Sequence, residues 1–408
     1  MRIGIFTDTY PPYINGVSTS IAMLEAGLKE LGHEVFIVTV NPENMQYKYE
    51  DDERIIRIPG IPIGIYDYRL TGIYPLRAIN KIKKWNLDII HTHTEFGVGT
   101  FGRIIAKQFN IPLVHTYHTM YEDYVYYITK GYFDKSSKKI VEYLTKFYCD
   151  KTAKELIVPS KKTYDMFKDK YKFDKEIHIV PTGIDIKRFK KNNFKKEQIV
   201  ELKKELGIKP TDFVILFVGR IAKEKNIDLL LNGQVEILKK HKNVKLVIVG
   251  SGPDYEHYIE MSKKLKIDNS VIFTSSIPWE EIPIYYQLGD VFTTASNTET
   301  QGLTLIEAMA GSVPVVCLKD KSFEDILLDG KNGKYFKDDK EYIKNINYLI
   351  EHPDILDTMS EQARITSEMH SIEFFAKSIL KVYKDAIGTE KKSFFDKLKD
   401  KFKKDKDE

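Results

Sequence analysis

The sequence is poor in cysteine, has little excess charge of either sign and contains no long hydrophobic run. Its two cysteines, Cys149 and Cys317, lie far apart, which excludes a disulfide framework or a cysteine zinc site and fits a reducing compartment. The 63 Lys and Arg residues against 59 Asp and Glu leave a net charge of +4, too small to indicate a nucleic-acid partner. No stretch approaches the roughly 20 apolar residues of a spanning helix, and the run at 3–6 is too short for a signal peptide. We therefore expect a cytoplasmic protein, either soluble or bound to a membrane surface.

Short apolar segments alternate with amphipathic helical stretches along the whole chain of 408 residues. This length corresponds to two or three domains. Segments rich in Ile and Val, apolar at successive positions and joined by helices, indicate a parallel sheet covered on both faces. The predicted strands are 3–6, 34–40, 88–91, 112–116, 155–158 and 177–180, then 213–218, 245–250, 271–273, 291–294 and 313–317. The pattern predicts an α/β fold of two Rossmann-like, doubly wound domains.

The strand and helix pattern pauses between residues 182 and 210, where a charged segment interrupts it. We place an N-terminal domain at 1–190 and a C-terminal domain at 191–370. A helix at 371–388 is expected to return to the N-terminal domain, and 389–408 is expected to form a basic amphipathic tail. Ligands of such sheets bind beyond the carboxyl ends of the strands, so we expect two domains facing a cleft that holds the site.

Glycines and basic residues follow several of the predicted strands. Gly16 stands where the first loop enters a helix, so backbone N–H groups there can approach a phosphate; taken alone, a turn glycine is the more common explanation. Arg220 and Lys225 follow the strand at 213–218, where two cations can neutralise a diphosphate, although a solvated helix start is the alternative. Gly250 follows the next strand, a weak signal by itself.

Two glutamates eight positions apart follow the strand at 291–294. Glu299 is expected in a loop, where a carboxylate can accept hydrogen bonds from sugar hydroxyls. Glu307 is expected two turns further on, in a helix that begins near Gly302, where it can reach a ribose. The alternative, a surface charge, is weakened by the apolar neighbours of Glu307, such as Leu303, because a charge among apolar side chains needs a partner.

A cluster of histidines follows two further strands. It consists of His91, His93 and nearby Glu95, then His115 and His118. A metal site is conceivable, but the spacing matches no recognisable zinc pattern. Side chains at strand ends indicate instead an acid, a base or a hydroxyl-binding residue, although each histidine alone is more often structural. His118 is the favoured candidate, because it ends its strand and precedes a tyrosine-rich acidic loop.

Together these signals resemble glycosyltransferase family 4, the retaining nucleotide-sugar transferases of the GT-B fold, over residues 1–385. The most specific element is the pair Glu299 and Glu307. The resemblance implies that Glu299 contacts the donor sugar, that Glu307 contacts the ribose, and that His118 lies near the reacting carbon. It also implies a set of further donor-binding residues: Arg220 and Lys225 on the pyrophosphate, Gly16 on the phosphates, and Gly250, Gly302 and Leu303.

The strings at 91–96 and 115–125 are similar to those of the bacterial 1,2-diacylglycerol 3-α-glucosyltransferases, which use UDP-glucose. Those enzymes often have Gln where this chain has His93 or Met120. The position of the motif implies that the acceptor site contains Glu95, Tyr121 and Asp123.

This similarity implies glucose transfer from UDP-glucose to diacylglycerol, with retention and with no required cofactor. Mg²⁺ is possible but not indicated, because no D-x-D motif stands at a strand end. Alternatives are a galactosyl or mannosyl transferase, or one acting on phosphatidylinositol, a polysaccharide or a small molecule. A non-catalytic nucleotide-sugar-binding membrane protein is an alternative of another class. The sequence does not determine the oligomeric state.

Local charge points to an anionic membrane surface as a partner. Residues 130–151 combine lysines with aromatic residues, although an ordinary solvated helix face is equally compatible. In the tail, Phe394, Phe395, Leu398 and Phe402 form one stripe flanked by lysines, the pattern of an interfacial amphipathic helix. A stripe docked on the protein, or a disordered end, is the alternative. We therefore expect peripheral binding to the inner face of the cell membrane.

Overall fold

A computed structural model describes residues 1–13, 15–62, 69–72, 74–95, 97–118, 153–296, 298–299 and 301–404, the last sixteen of these by their backbone alone. Contacts divide the chain into two units: residues 1–183 together with 372–408, and residues 184–371. Both are parallel α/β units, so the predicted fold class is confirmed. None of the described helices combines the length and hydropathy needed to cross a membrane.

The first unit is built on an eight-stranded sheet in the order β10-β9-β8-β7-β1-β2-β4-β3, with all pairs parallel except β3–β4. A separate antiparallel pair, β5–β6, extends from it. The strands are β1 Arg2–Phe6, β2 Glu34–Val40, β3 Lys48–Glu50, β4 Ile55–Ile58, β5 Gly60–Pro62, β6 Arg69–Thr71, β7 Ile89–Thr92, β8 Leu113–Thr116, β9 Glu155–Val158 and β10 Ile177–Ile179. The helices among its described residues are α1 Gly16–Glu30, α2 Leu76–Lys84, α3 Gly97–Phe109, α4 Lys161–Asp165 (continued by a π turn, Met166–Lys170) and α13 Ile372–Lys404.

The second unit is built on a six-stranded, fully parallel sheet in the order β13-β12-β11-β14-β15-β16. Its strands are β11 Phe213–Val218, β12 Val244–Val249, β13 Val271–Phe273, β14 Val291–Thr294, β15 Val315–Leu318 and β16 Gly333–Phe336. Its helices are α5 Ile186–Phe189, α6 Lys196–Glu205, α7 Ile227–Lys240, α8 Tyr255–Lys264, α9 Ile282–Tyr286, α10 Leu303–Ala310, α11 Asp339–Glu351 and α12 Pro353–Ser367.

Each sheet is covered on both faces because its strands are apolar at successive positions. In β11, Val214 and Leu216 belong to one core cluster, whereas Ile215 and Phe217 belong to the cluster on the opposite face. In β1, Ile3 and Ile5 pack with α1 and α13, and Phe6 packs on the other side with α2 and α3. The faces of both sheets are therefore filled, and the loops at the strand ends are the places left for chemistry.

The boundary between the units lies before the predicted position of 190/191. Ile184 forms a parallel bridge with Ser371, and its N–H donates to the His370 carbonyl at 2.9 Å. Ile184, Ile186 and Phe189 pack in the core of the second unit, which moves the boundary to 183/184. The returning helix is α13, whose Phe375, Ile379 and Tyr383 are buried in the first unit. The predicted stripe of the tail and the basic segment at 130–151 lie outside the described side chains.

Candidate active site

The first unit collects polar residues where β1, β7 and β8 end. These ends adjoin because the sheet places β7 between β1 and β8, and the N–H of His93 donates to the Phe6 carbonyl at 3.1 Å. Asp8, which sequence reasoning did not single out, accepts hydrogen bonds from the Val98 N–H at 3.0 Å and from the Thr94 hydroxyl. Burial raises the pKa of Asp8, and these donors oppose the rise. Asp8 therefore ties the first loop to the start of α3.

Most of the predicted histidine cluster is bound within the protein. His91 contacts the Tyr383 hydroxyl with Nδ1 and the Thr116 hydroxyl with Nε2, both at 2.7 Å. His115 Nε2 lies 3.0 Å from Oε1 of Glu95, and both side chains are buried. His91, His115 and Glu95 thus hold the strand ends together. The predicted acceptor residues Tyr121 and Asp123 lie outside the described residues.

His118, the favoured histidine, lies two residues beyond β8. Its Nε2 is 2.8 Å from Nδ1 of His93, and the two rings stack with centroids 5.1 Å apart. Loss of hydration lowers the pKa of His118 to about 4; Glu95 opposes this shift and His115 adds to it. The imidazole is therefore neutral at pH 7, so it can exchange hydrogen bonds with a sugar but brings no positive charge.

Gly16 is the first residue of α1, where the sequence predicted an anion site. The preceding Asn15 caps the helix, with its side-chain oxygen accepting from the Ser18 N–H at 2.9 Å. A Cβ added at Gly16 would meet no heavy atom within 4 Å. Packing therefore does not require glycine here, which leaves the approach of a ligand to the backbone as a reason for it.

The second unit brings Lys225 and Glu299 together as an ion pair, although they stand 74 positions apart in the sequence. They meet because β11 and β14 are neighbours in the sheet, so the loops that follow these strands leave the same edge. Sequence reasoning predicted both residues but not the contact between them. Arg220 forms a second ion pair with Glu224, whose side chain is 7% exposed. Each predicted cation therefore has a carboxylate partner that orients it.

Two of the predicted glycines are required by the backbone. Gly250 has φ +136°, and a Cβ there would lie 2.0 Å from the carbonyl oxygen of Gly219. Gly302, with φ +82°, precedes α10, and a Cβ there would lie 2.5 Å from Phe323. Residues other than glycine rarely adopt these backbone conformations. These glycines set the paths of the loops after β12 and β14, and Leu303 begins the helix.

Glu307 lies in α10, and its Oε2 accepts a hydrogen bond from the Tyr286 hydroxyl at 2.6 Å. Desolvation raises the pKa of Glu307 to about 7, against the opposing effects of this hydrogen bond and of Arg188. The apolar neighbours of Glu307 in the sequence led us to expect a partner for this carboxyl. That partner is the buried Tyr286, 21 positions earlier in the chain.

Glu307 should make the stability of the second unit depend on pH. Its pKa is above the ordinary 4.5 in the folded state, so the folded protein binds the proton more tightly and loses stability as pH rises from about 4.5 to 7. We expect wild type to lose about 2 kcal/mol more than Glu307→Gln between pH 5 and 7.5 in urea unfolding. Gln keeps an acceptor for Tyr286, so it isolates the ionisation. Parallel pH profiles for the two proteins would contradict the expectation.

Among the residues that the structure describes, one group can offer three metal ligands close together: Glu155, Glu176 and His178. It lies along β9 and β10, and His178 Nε2 is 2.9 Å from Oε2 of Glu155. Glu155 and His178 already hydrogen-bond to each other, and Glu176 is exposed. We therefore assign no ion to this group.

Comparison with known proteins covers both halves of the chain. Residues 14–188 match the model of Glycosyltransferase Family 4, and residues 198–366 match that of glycosyl transferases group 1. The alpha-monoglucosyldiacylglycerol synthase of Acholeplasma laidlawii is 39% identical over 400 residues, covering 96% of this chain and 99% of that protein. The synthase of the same name from Streptococcus pneumoniae is 38% identical, covering 95% of this chain and 86% of that protein.

Solved structures share the fold at lower identity. The Anabaena protein HepE, in complex with UDP, superposes with a TM-score of 0.71 at 17% identity, covering 94% of this chain and all of that one. The sucrose-phosphate synthase of Thermosynechococcus elongatus gives 0.73 at 17% identity, covering 95% and 99%.

Proposed function

The chain belongs to the family 4, group 1 glycosyltransferases, and we propose that it transfers glucose from UDP-glucose to the 3-hydroxyl of 1,2-diacylglycerol with retention of configuration. The family expected from Glu299 and Glu307 is confirmed. The observation that carries the proposal is the 39% identity to a monoglucosyldiacylglycerol synthase, which spans nearly the full length of both proteins. The predicted histidine cluster of the first unit and the predicted Lys225 and Glu299 of the second lie at strand ends, where ligands of parallel α/β sheets bind.

In the proposed reaction, the bond between the sugar C1 and the β-phosphate oxygen breaks, and a bond from C1 to the lipid oxygen forms on the same face. The departing phosphate oxygen takes the proton of the acceptor hydroxyl. Negative charge builds up on the diphosphate, where Arg220 and Lys225 stabilise it. Glu299 accepts hydrogen bonds from the sugar, and Glu307 accepts them from the ribose. His118 contributes as a neutral group near the reacting carbon.

The test is transfer of labelled glucose from UDP-glucose to dioleoylglycerol by the purified protein, with the anomer assigned by NMR. We expect an α-linked monoglucosyl lipid. Parallel arms replace the donor with UDP-galactose or GDP-mannose and the acceptor with phosphatidylinositol, and each is run with Mg²⁺ and with EDTA. A product only with another donor or acceptor would refute the specificity, and no product in any arm would favour a binding protein.

A diacylglycerol acceptor requires the protein to reach a bilayer. The first unit exposes apolar side chains suited to contact with a bilayer, and the sequence alone did not point to them. Ile61 and Leu70, paired across β5 and β6, are 55% and 60% exposed, and Leu76 at the start of α2 is 70% exposed. The same helix exposes several cations: Arg77, Lys83 and Lys84. Exposed apolar side chains and exposed cations in the same unit fit an anionic membrane, so we propose that the first unit binds a membrane peripherally through these residues.

Leu70→Asp should weaken binding to vesicles that contain anionic lipid by about three- to tenfold, because it removes an apolar contact and adds a repelled charge. The measurement is co-sedimentation with phosphatidylglycerol vesicles. Val200→Asp, at a 54% exposed position of α6 in the second unit, is the matched control and should bind as wild type does. Deleting residues 390–408 tests the predicted tail in the same assay. Unchanged sedimentation of Leu70→Asp would remove this surface from the proposal, and unchanged sedimentation of the deletion would remove the tail.

A further inference from the structure

His93 has no role in the proposed reaction. A hydrogen bond between ring nitrogens holds it against His118. Nδ1 of His93 lies 2.8 Å from Nε2 of His118, and the rings are nearly parallel at 20°. The ring centroids of His93 and His91 lie 4.0 Å apart. Two neutral imidazoles joined in this way must divide the roles, since one nitrogen donates a proton and the other accepts it.

The second nitrogen of His93 indicates which ring donates. Its Nε2 is buried and has no hydrogen-bond partner among the described residues, and the side chain belongs to a residue that is 2% exposed. If His93 accepted from His118, its own proton would stand on this Nε2 as a buried, unpaired donor. Orphaned buried N–H groups are rarer than under-satisfied acceptors. The less costly arrangement has the proton of His93 on Nδ1, donated to His118.

Burial and the neighbouring histidines keep His93 neutral. His91 has both nitrogens engaged, by Tyr383 and Thr116, and His115 is bound by Thr92 and Glu95. Burial lowers the pKa of His93 well below its ordinary value, and the neighbouring histidines add to the effect. The carboxylate of Glu95 contacts His115 rather than His93.

We propose that His93 is a positioning residue that donates from Nδ1 to Nε2 of His118 and so fixes His118 as the tautomer protonated on Nδ1. His118 then offers an N–H to a substrate oxygen. It is not a general base, because Nδ1 carries its proton and Nε2 is occupied by His93. Among the described residues no group binds Nδ1 of His118, which leaves this donor for a ligand. The functional consequence rests on the proposed function, in which His118 lies near the donor sugar.

The proposal predicts different outcomes for two substitutions of His93. Asparagine places its amide nitrogen near the position of Nδ1 and keeps the donor, whereas alanine removes it. We expect His93→Ala to lower kcat about tenfold with little change in KM for the lipid, and to move the acid limb of the pH profile upward, since Nε2 of His118 becomes free to take a proton. His93→Asn should restore kcat to within about twofold of wild type and return the pH profile.

The tautomer is measured directly by ¹⁵N NMR of histidine-labelled protein, with the His118 signals assigned by their loss in His118→Gln. Wild type should show a proton on Nδ1 and none on Nε2 of His118, and His93→Ala should shift the proton toward Nε2. A wild-type proton on Nε2, or an unchanged tautomer and kcat in His93→Ala, would overturn the inference. Failure of wild type to glucosylate diacylglycerol refutes the proposed function instead, and the spectra still decide the role of His93.

Discussion

Replacing Lys225 by alanine is expected to lower the kcat of glucosyl transfer by about 10²- to 10³-fold, the usual effect of removing one group that stabilises charge in a transition state. In the proposed reaction, Lys225 faces the diphosphate that gains charge as the sugar leaves. Its ion pair with Glu299 holds the ammonium in place before the donor binds. The measurement is the initial rate with saturating UDP-glucose and diacylglycerol, together with a thermal scan to verify folding.

Lys223 provides the matched control, because it belongs to the same short turn, 223–225, but is exposed. Lys223→Ala should keep kcat within about twofold. The double variant Lys225→Ala/Glu299→Ala should lose little more than either single variant, since residues that act as a unit are strongly non-additive. Equal rates for Lys223→Ala and Lys225→Ala would remove Lys225 from the proposed machinery. Fully additive losses would show that the ion pair does not act as a unit.

Gly250→Ala should destabilise the second unit by about 2–4 kcal/mol, through a strained backbone and a clash of Cβ with the carbonyl oxygen of Gly219. The backbone on either side of this clash is fixed by hydrogen bonds. The N–H of Gly219 donates to the Val249 carbonyl at 3.0 Å, and the N–H of Gly250 donates to the Ser275 carbonyl at 3.1 Å. For a unit of this size, the melting transition should fall by about 5–12 °C. Differential scanning calorimetry measures it.

Gly16→Ala is the matched control for stability, since a Cβ there meets nothing within 4 Å. It should melt within about 1 °C of wild type, and any loss of donor affinity then reports on the proposed phosphate contact. A melting point of Gly250→Ala equal to that of Gly16→Ala would show that the loop after β12 relaxes without cost.

Local sequence pattern by itself determined most of the strands and the sheet edge at which polar residues gather. Residues 213–218 are apolar at six successive positions, and such a segment is buried on both faces only in a covered parallel sheet. Its end places Arg220 in a loop, and the same reasoning places Glu299 beyond β14. Strands β3, β4, β5, β6 and β16 escaped prediction because each has only three or four residues, too few to show a clear period.

Tertiary structure alone decided which of these residues touch. Lys225 meets Glu299 because β14 pairs with β11, and His118 meets His93 because β8 pairs with β7. It also moved the domain boundary to 183/184, where Ile184 pairs with Ser371. Hydrophobic periodicity is a property of neighbouring residues, so it can be read along the chain. Strand order brings together residues as far apart as Ile3 and Ile89, 86 positions in the sequence. The packing of whole helices on both faces of each sheet selects this order.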